Sequence, residues 1–261
     1  MADKGYWVIR TYEAGPIGEK TKYWVSGDRG RRNRKRELDA VKKQEQNEYS
    51  VIKRLARHIN ANFRAEQNGA LFGLDYSDEA LAKIMKRADE NKRSDGESLR
   101  WEAEHELRLY LRRVKRECEK RGIEFKYIAI TSDMDGATGE VKRIHHHIIT
   151  TAEVYEILKE KWKHGEVYRS KMKRQADYTA VSEYLVRQVR RIPDAKKYMT
   201  SRNLIRVLPK DRVAVSDCEL HVPAKGKLLF RTEYSPGLPQ YIRYILPPKK
   251  LREAGYEEEI E

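Results

Sequence analysis

Arg143-Ile144-His145-His146-His147-Ile148-Ile149 puts three of the chain's seven histidines into one short run framed by isoleucines. β-branched residues on both sides predict a strand, over residues 141–150. Successive strand side chains point to opposite faces, so His145 and His147 share one face and His146 shares the other with Ile144 and Ile148. The isoleucine face is the core face, which turns the His145/His147 pair outward towards a cleft. Two imidazoles so placed are close enough to hold one metal ion. For an isolated His-x-His the plainer alternative is a polar strand with one satisfied core histidine, so the surrounding chain has to decide.

Immediately upstream, Phe125-Lys126-Tyr127-Ile128-Ala129-Ile130-Thr131 reads as a second strand, joined to the first by the polar turn Ser132-Asp133-Met134-Asp135-Gly136 as an antiparallel hairpin. Before it, the steps of Leu107, Leu111, Val114 and Cys118 predict a helix over 98–121 with Gly122 as its stop. Earlier still, residues 69–76 read as a buried strand, followed by Ser77 and Asp78 as caps for a helix carrying Leu81, Ile84 and Met85. Downstream, Thr151 caps a helix to Trp162, residues 166–172 form a strand, and Asp177 opens a helix that ends before Pro193. Residues 6–12 and 22–25 flank Gly15-Pro16 as a hairpin, and residues 38–59 form an amphipathic helix. Beyond Ser201 the chain becomes strand-like and Pro-rich. The expected fold class is α+β, a central antiparallel sheet with helices packed on it. It divides into an N-terminal hairpin, basic arm and helix (1–66), a core (67–204) and a strand-rich extension with an acidic tail (205–261).

Composition bounds the chemistry. Of 261 residues, 55 are Lys or Arg and 41 Asp or Glu, a net charge of +14 that suits polyanions. No apolar run approaches the ~18 residues of a spanning helix and no apolar region follows the first residues, so no membrane role and a cytoplasmic location are expected. Cys118 and Cys218 stand far apart, which supports neither a disulfide framework nor a zinc ribbon. The 16 tyrosines against 4 phenylalanines suit rings that stack on bases while their hydroxyls stay wet. Arg29, Arg31, Arg32, Arg34, Lys35 and Arg36 form a run read either as a solvated arm or as phosphate contacts.

On the helix after Asp177, 100° steps place Tyr178, Val181, Leu185, Val189 and Ile192 on one apolar stripe, making Tyr178 a packing residue. Tyr184 lies about 100° off that stripe, on the side of Arg187, Gln188 and Arg191. Alone it reads as a surface residue, but a tyrosine hydroxyl beside guanidinium groups also suits a nucleophile whose phosphate target is held by cations.

Three segments in order, Leu71-Phe72-Gly73-Leu74-Asp75-Tyr76, the histidine strand, and Asp177 to Gln188, together resemble the HUH endonuclease superfamily, in particular the rolling-circle replication initiators of plasmids and phages. Ser201-Arg202-Asn203-Leu204 adds to the likeness, which covers residues 69–204. The resemblance implies a ferredoxin- or RRM-like palm and a divalent ion, Mn²⁺ or Mg²⁺, on His145 and His147. Gln188 and Asp75 compete as its third ligand and are left open. It further implies Tyr184 as nucleophile, Arg187 as a phosphate clamp where relatives often carry lysine, and Arg143 and Arg191 as DNA contacts, with Tyr178 open as a second tyrosine. The implied activity nicks and rejoins single-stranded or hairpin origin DNA through a 5′-phosphotyrosine link in a prokaryotic host, alongside a host helicase and replication machinery. A relaxase or single-strand transposase would use the same site. A metal-dependent hydrolase would dispense with Tyr184, and a non-catalytic nucleic-acid-binding protein would merely pack its histidines.

Overall fold

The structure is a computed structural model that describes residues 5–26, 40–93, 97–190 and 196–256. In chain order the elements are β1 (Gly5–Ala14), β2 (Ile17–Ser26), α1 (Ala40–Asn62), β3 (Gly69–Leu74), α2 (Asp78–Glu90) and α3 (Ser98–Lys120). They continue with β4 (Ile128–Met134), β5 (Val141–Thr151), α4 (Tyr155–Lys161), β6 (Val167–Lys171) and α5 (Thr179–Arg187). The last are β7 (Met199–Thr200), β8 (Lys210–Ala214), β9 (Lys227–Arg231), β10 (Gln240–Ile245) and α6 (Pro248–Glu253). The fold class is α+β, but in place of one central sheet there are two antiparallel five-stranded sheets. The chain forms two compact units, one of residues 1–61, 175–178 and 205–261, the other of 62–174 and 179–204. Among the described residues no helix is long and apolar enough to cross a membrane.

The second unit contains the histidine strand. Its sheet runs β6-β3-β5-β4-β7, with β5 central, so its backbone groups are paired on both sides. One face carries Ala70, Phe72 and Leu74 from β3, Ala129 from β4, and Ile144 and Ile148 from β5; the apolar side of α3 (Leu107, Leu111, Val114, Cys118) joins them in one core. Burying a side chain such as Phe72 contributes about 1.5–3 kcal/mol. Ser77 caps α2 by accepting the Ala80 N–H at 3.2 Å, as its residue type predicts. Gly122 ends α3 at φ +68°, a conformation open to glycine at little cost.

Three boundaries differ from the sequence expectation. β4 continues through Ser132 and Asp133 to Met134, because Met134 still pairs with Val141 and the buried Asp133 carboxylate meets arginines. α5 stops at Arg187, well before Pro193, because the next carbonyl, that of Gln188, accepts the Asp133 and Met134 N–H groups, both at 3.1 Å. The segment after Thr151 begins as a 3₁₀ turn over Ala152–Val154, and the Thr151 hydroxyl donates to Glu153 without capping it.

The first unit is built on the sheet β8-β1-β2-β10-β9. Here aromatic rings hold the protein's own cations. Arg57 of α1 forks onto Glu19 at 2.7 and 3.1 Å and lies 3.5 Å from the Tyr12 ring centre. Lys53 sits 3.3 Å from that of Tyr241, and Lys22, fully buried, pairs with Asp217 between Trp7 and Tyr234. Burial pushes Lys53 down to about 8. Tyr76, Tyr110, Tyr178, Tyr241 and Tyr244 are all buried, so the tyrosine excess serves packing and cation–π contacts inside the protein as much as any surface.

Candidate active site

β5 presents its histidines to opposite faces. His146 is fully buried on the helix-covered face, where one ring nitrogen lies 2.6 Å from the Tyr76 hydroxyl and the other 3.0 Å from Thr131 Oγ1. Burial holds its imidazole neutral, with His145 and His147 adding like-charge repulsion to any protonated form. Burial likewise keeps the Tyr76 phenol protonated. The middle histidine therefore ties β5 to β4 and to the segment just after β3 through two side-chain bonds.

His145 and His147 lie on the other face. Their Nε2 atoms are 3.2 Å apart, and His147 Nε2 is also 3.2 Å from Gln188 Oε1. The amide is oriented by its own Nε2, which donates to the Tyr184 carbonyl at 3.3 Å. His145 Nδ1 lies 3.0 Å from the Arg143 carbonyl, which can only accept, so Nδ1 carries the proton and Nε2 of the neutral ring is bare. His147 Nε2–H then stands between two acceptors. Burial, then the neighbouring His145, lower the His147 pKa to about 4, against an opposing contribution from Gln188. With the His147 proton on Nδ1 instead, His145 Nε2, His147 Nε2 and Gln188 Oε1 would turn three lone pairs on one point, a place that a cation can take. Two imidazoles and an amide oxygen suit Mn²⁺, and Mg²⁺ with water completing its shell. Among the described residues no group of three or more His, Cys, Asp or Glu gathers as a metal cage, so any ion here relies on the amide.

Tyr184 stands next to these donors, 56% exposed, its ring centre 6.2 Å from that of His147. It lines a cleft of about 580 Å³ with Arg187, Gln188, His145, Lys142 and the β4–β5 loop. Gly136 of that loop packs against α5: a Cβ there would meet Arg187 Cβ at 3.3 Å and Gln188 Cγ at 3.4 Å. Across the sheet Gly73 pairs with His147, and a Cβ on it would meet nothing within 4 Å, which leaves the floor beside the histidines open. Arg187 pairs with Glu183, and Lys142 with Asp135.

Asp75 does not join the histidine–amide group. It lines an adjoining cleft with Glu166, Tyr168, Arg143 and His145. Arg143 is committed to Asp78 and to the Tyr76 carbonyl, both at 2.6 Å. Tyr178 is fully buried, its N–H bonded to Asn60 at 2.9 Å. Arg29, Arg31, Arg32, Arg34, Lys35, Arg36 and Arg191 lie outside the described residues.

The sequence reading missed the groups that aim Gln188. Buried Asp133 accepts from Arg100 at 3.3 Å and from the Arg190 N–H at 3.1 Å, while its own N–H and that of Met134 hold the Gln188 carbonyl. Extending the β4 alternation from Ala129 and Thr131 to Asp133 would have placed that carboxylate on the core face, where a buried charge requires a cationic partner. No family model, curated protein or solved structure matches the chain.

Proposed function

We propose that this cleft is the active site of an HUH-type endonuclease that initiates rolling-circle replication, nicking and rejoining single-stranded DNA through a 5′-phosphotyrosine link. The observation that carries the reading is the convergence of His145 Nε2, His147 Nε2 and Gln188 Oε1 beside an exposed tyrosine. A divalent ion held by these three residues supplies charge neutralisation and polarisation at the scissile phosphate. Gln188 is favoured over Asp75 as the third ligand because its oxygen already lies against His147.

The Tyr184 oxygen attacks phosphorus, forming the P–Oη bond as the P–O3′ bond breaks. The phenolic proton leaves to water, and the departing 3′-oxygen takes one up to become a free hydroxyl. One phosphodiester replaces another, so the step reverses and rejoins strands without a nucleotide cofactor. Arg187 is half-exposed on the cleft wall, where a backbone phosphate can take the place of Glu183. A guanidinium in this place clamps charge with a fixed fork of N–H donors and relays no proton. The basic run from Arg29 to Arg36 adds sequence-independent, salt-sensitive affinity. A replication initiator of this kind works in the cytoplasm of a prokaryotic host.

The test is incubation with a randomised pool of labelled single-stranded oligonucleotides and Mn²⁺, followed by denaturing electrophoresis. A metal-dependent, denaturant-resistant adduct is expected, and the captured strands give the recognised sequence. Binding without any adduct, with or without Mn²⁺, would leave a non-catalytic DNA-binding protein.

A further inference from the structure

Beside β7, the same unit has a further cleft, of about 410 Å³, that shares no lining residue with the Tyr184 cleft. Its floor includes Ala129 and Thr131, which alternate along β4 with Ile130 and Ser132, the partners of His147 and His145. The cleft therefore opens on the face opposite the histidine pair.

Its lining combines a flat aromatic surface with excess positive charge. Among the described residues that line it, Arg93, Arg100, Arg108, Lys196 and Lys197 outnumber Glu97 and Glu104, with Arg100 also bound to the buried Asp133. Both carboxylates already have cations: Glu104 meets Arg100 at 3.1 Å and Arg108 at 3.2 Å, and Glu97 meets Arg190 at 3.7 Å. Trp101 remains 39% exposed although indole is costly to leave in water. It belongs to a stack, with the His105 ring parallel at 5.5 Å and the planar Arg93 guanidinium 5.8 Å from its centre. Tyr198 and Met199 complete the apolar wall.

We propose that this cleft binds one nucleotide unit, its base stacked on Trp101 and its phosphate on the rim of Arg93, Arg108 and Lys196. Aromatic stacking accepts any base, and three cations around one plane match the base-plus-phosphate shape. The proposal goes beyond the nuclease reading and needs neither metal nor Tyr184. A nucleotide within a DNA strand and a free nucleoside triphosphate present the same chemistry, and the two are separable by experiment.

The full chain is titrated in chelator, so that no cleavage enters the readout, with fluorescein-labelled dT₁₂ and separately with dATP, following anisotropy and tryptophan fluorescence. Trp101→Leu is expected to weaken at least one probe by about tenfold. Lys196→Glu, at an exposed position, should weaken the same probe by a smaller factor while circular dichroism stays unchanged. Loss confined to dT₁₂ assigns a strand, and loss confined to dATP a free nucleotide. Should Trp101→Leu fail to fold, Lys196→Glu decides alone. The proposal is overturned if the wild-type chain binds neither probe, if both folded variants bind normally, or if a folded Trp101→Leu binds normally while only Lys196→Glu is impaired.

Discussion

On the helix-covered face of β5, His146 has a partner at each ring nitrogen, the Tyr76 hydroxyl and Thr131 Oγ1. On the opposite face, one residue to either side along the same strand, His145 and His147 turn their Nε2 atoms towards each other, and His147 also meets Gln188. The first arrangement is closed: every polar atom is matched and nothing need enter. In the second, one imidazole N–H is shared between two acceptors at the edge of an open cleft, beside an exposed phenol. Residue type is identical on the two faces, so what separates structural from chemical histidine is the company each keeps. Polar satisfaction of this kind is a physical distinction that His-x-His spacing alone does not contain.

The comparison breaks at its strongest point if Tyr184 is dispensable. Tyr184→Phe keeps the ring and removes a hydroxyl from an exposed residue, so folding should be unchanged while cleavage and adduct fall by about a thousandfold or more in single-turnover assays. Next in size is the choice of third ligand: Gln188→Ala should raise the Mn²⁺ concentration needed for half-maximal cleavage, and Asp75→Asn should not. Equal shifts in both would mean that the adjoining cleft contributes to the ion.

The closed face is tested through stability. His146→Leu strands the Tyr76 and Thr131 hydroxyls and should cost about 2–4 kcal/mol in urea unfolding. Below its melting temperature the variant should keep a substantial part of the cleavage, because the opposite face is untouched. The two faces then converge in one pH effect. A histidine held neutral by the fold leaves protons to the unfolded chain, so stability is full above about 6.5 and falls as pH drops towards 4. With chelator present, His147 alone should contribute a loss of about 3 kcal/mol across that window. His146 acts in the same direction, so a flat profile would contradict the burial of both.

Much of this architecture is legible in the sequence because it depends on local pattern. Alternation around His145 to His147, the Ser77 cap and the Gly122 stop each follow from short-range sterics and hydrogen bonding. What was not legible depends on partners distant in sequence. Asp133 looks like a turn residue until Arg100 and Arg190 are seen to enclose it, and only then does the Gln188 carbonyl have a reason to end α5 early. The tyrosines of the first unit looked like base-stacking surface, yet Tyr12 and Tyr241 lie against Arg57 and Lys53 of α1. The Gln188 amide and the Asp75 carboxylate were equal choices for a third ligand in the sequence, which does not contain the 3.2 Å approach of Gln188 Oε1 to His147 Nε2.

The central claim is that the histidine pair, Gln188 and Tyr184 form one reaction site, and the most direct measurement is the identity of the residue that carries the DNA. The adduct formed with single-stranded DNA and Mn²⁺ is digested with protease and nuclease, and the nucleotide-bearing peptide is mapped by mass spectrometry. A nucleotide remnant on Tyr184, absent without metal and absent in His147→Ala, is the predicted result. A remnant on Tyr178, which is fully buried, or on any other tyrosine would contradict the account.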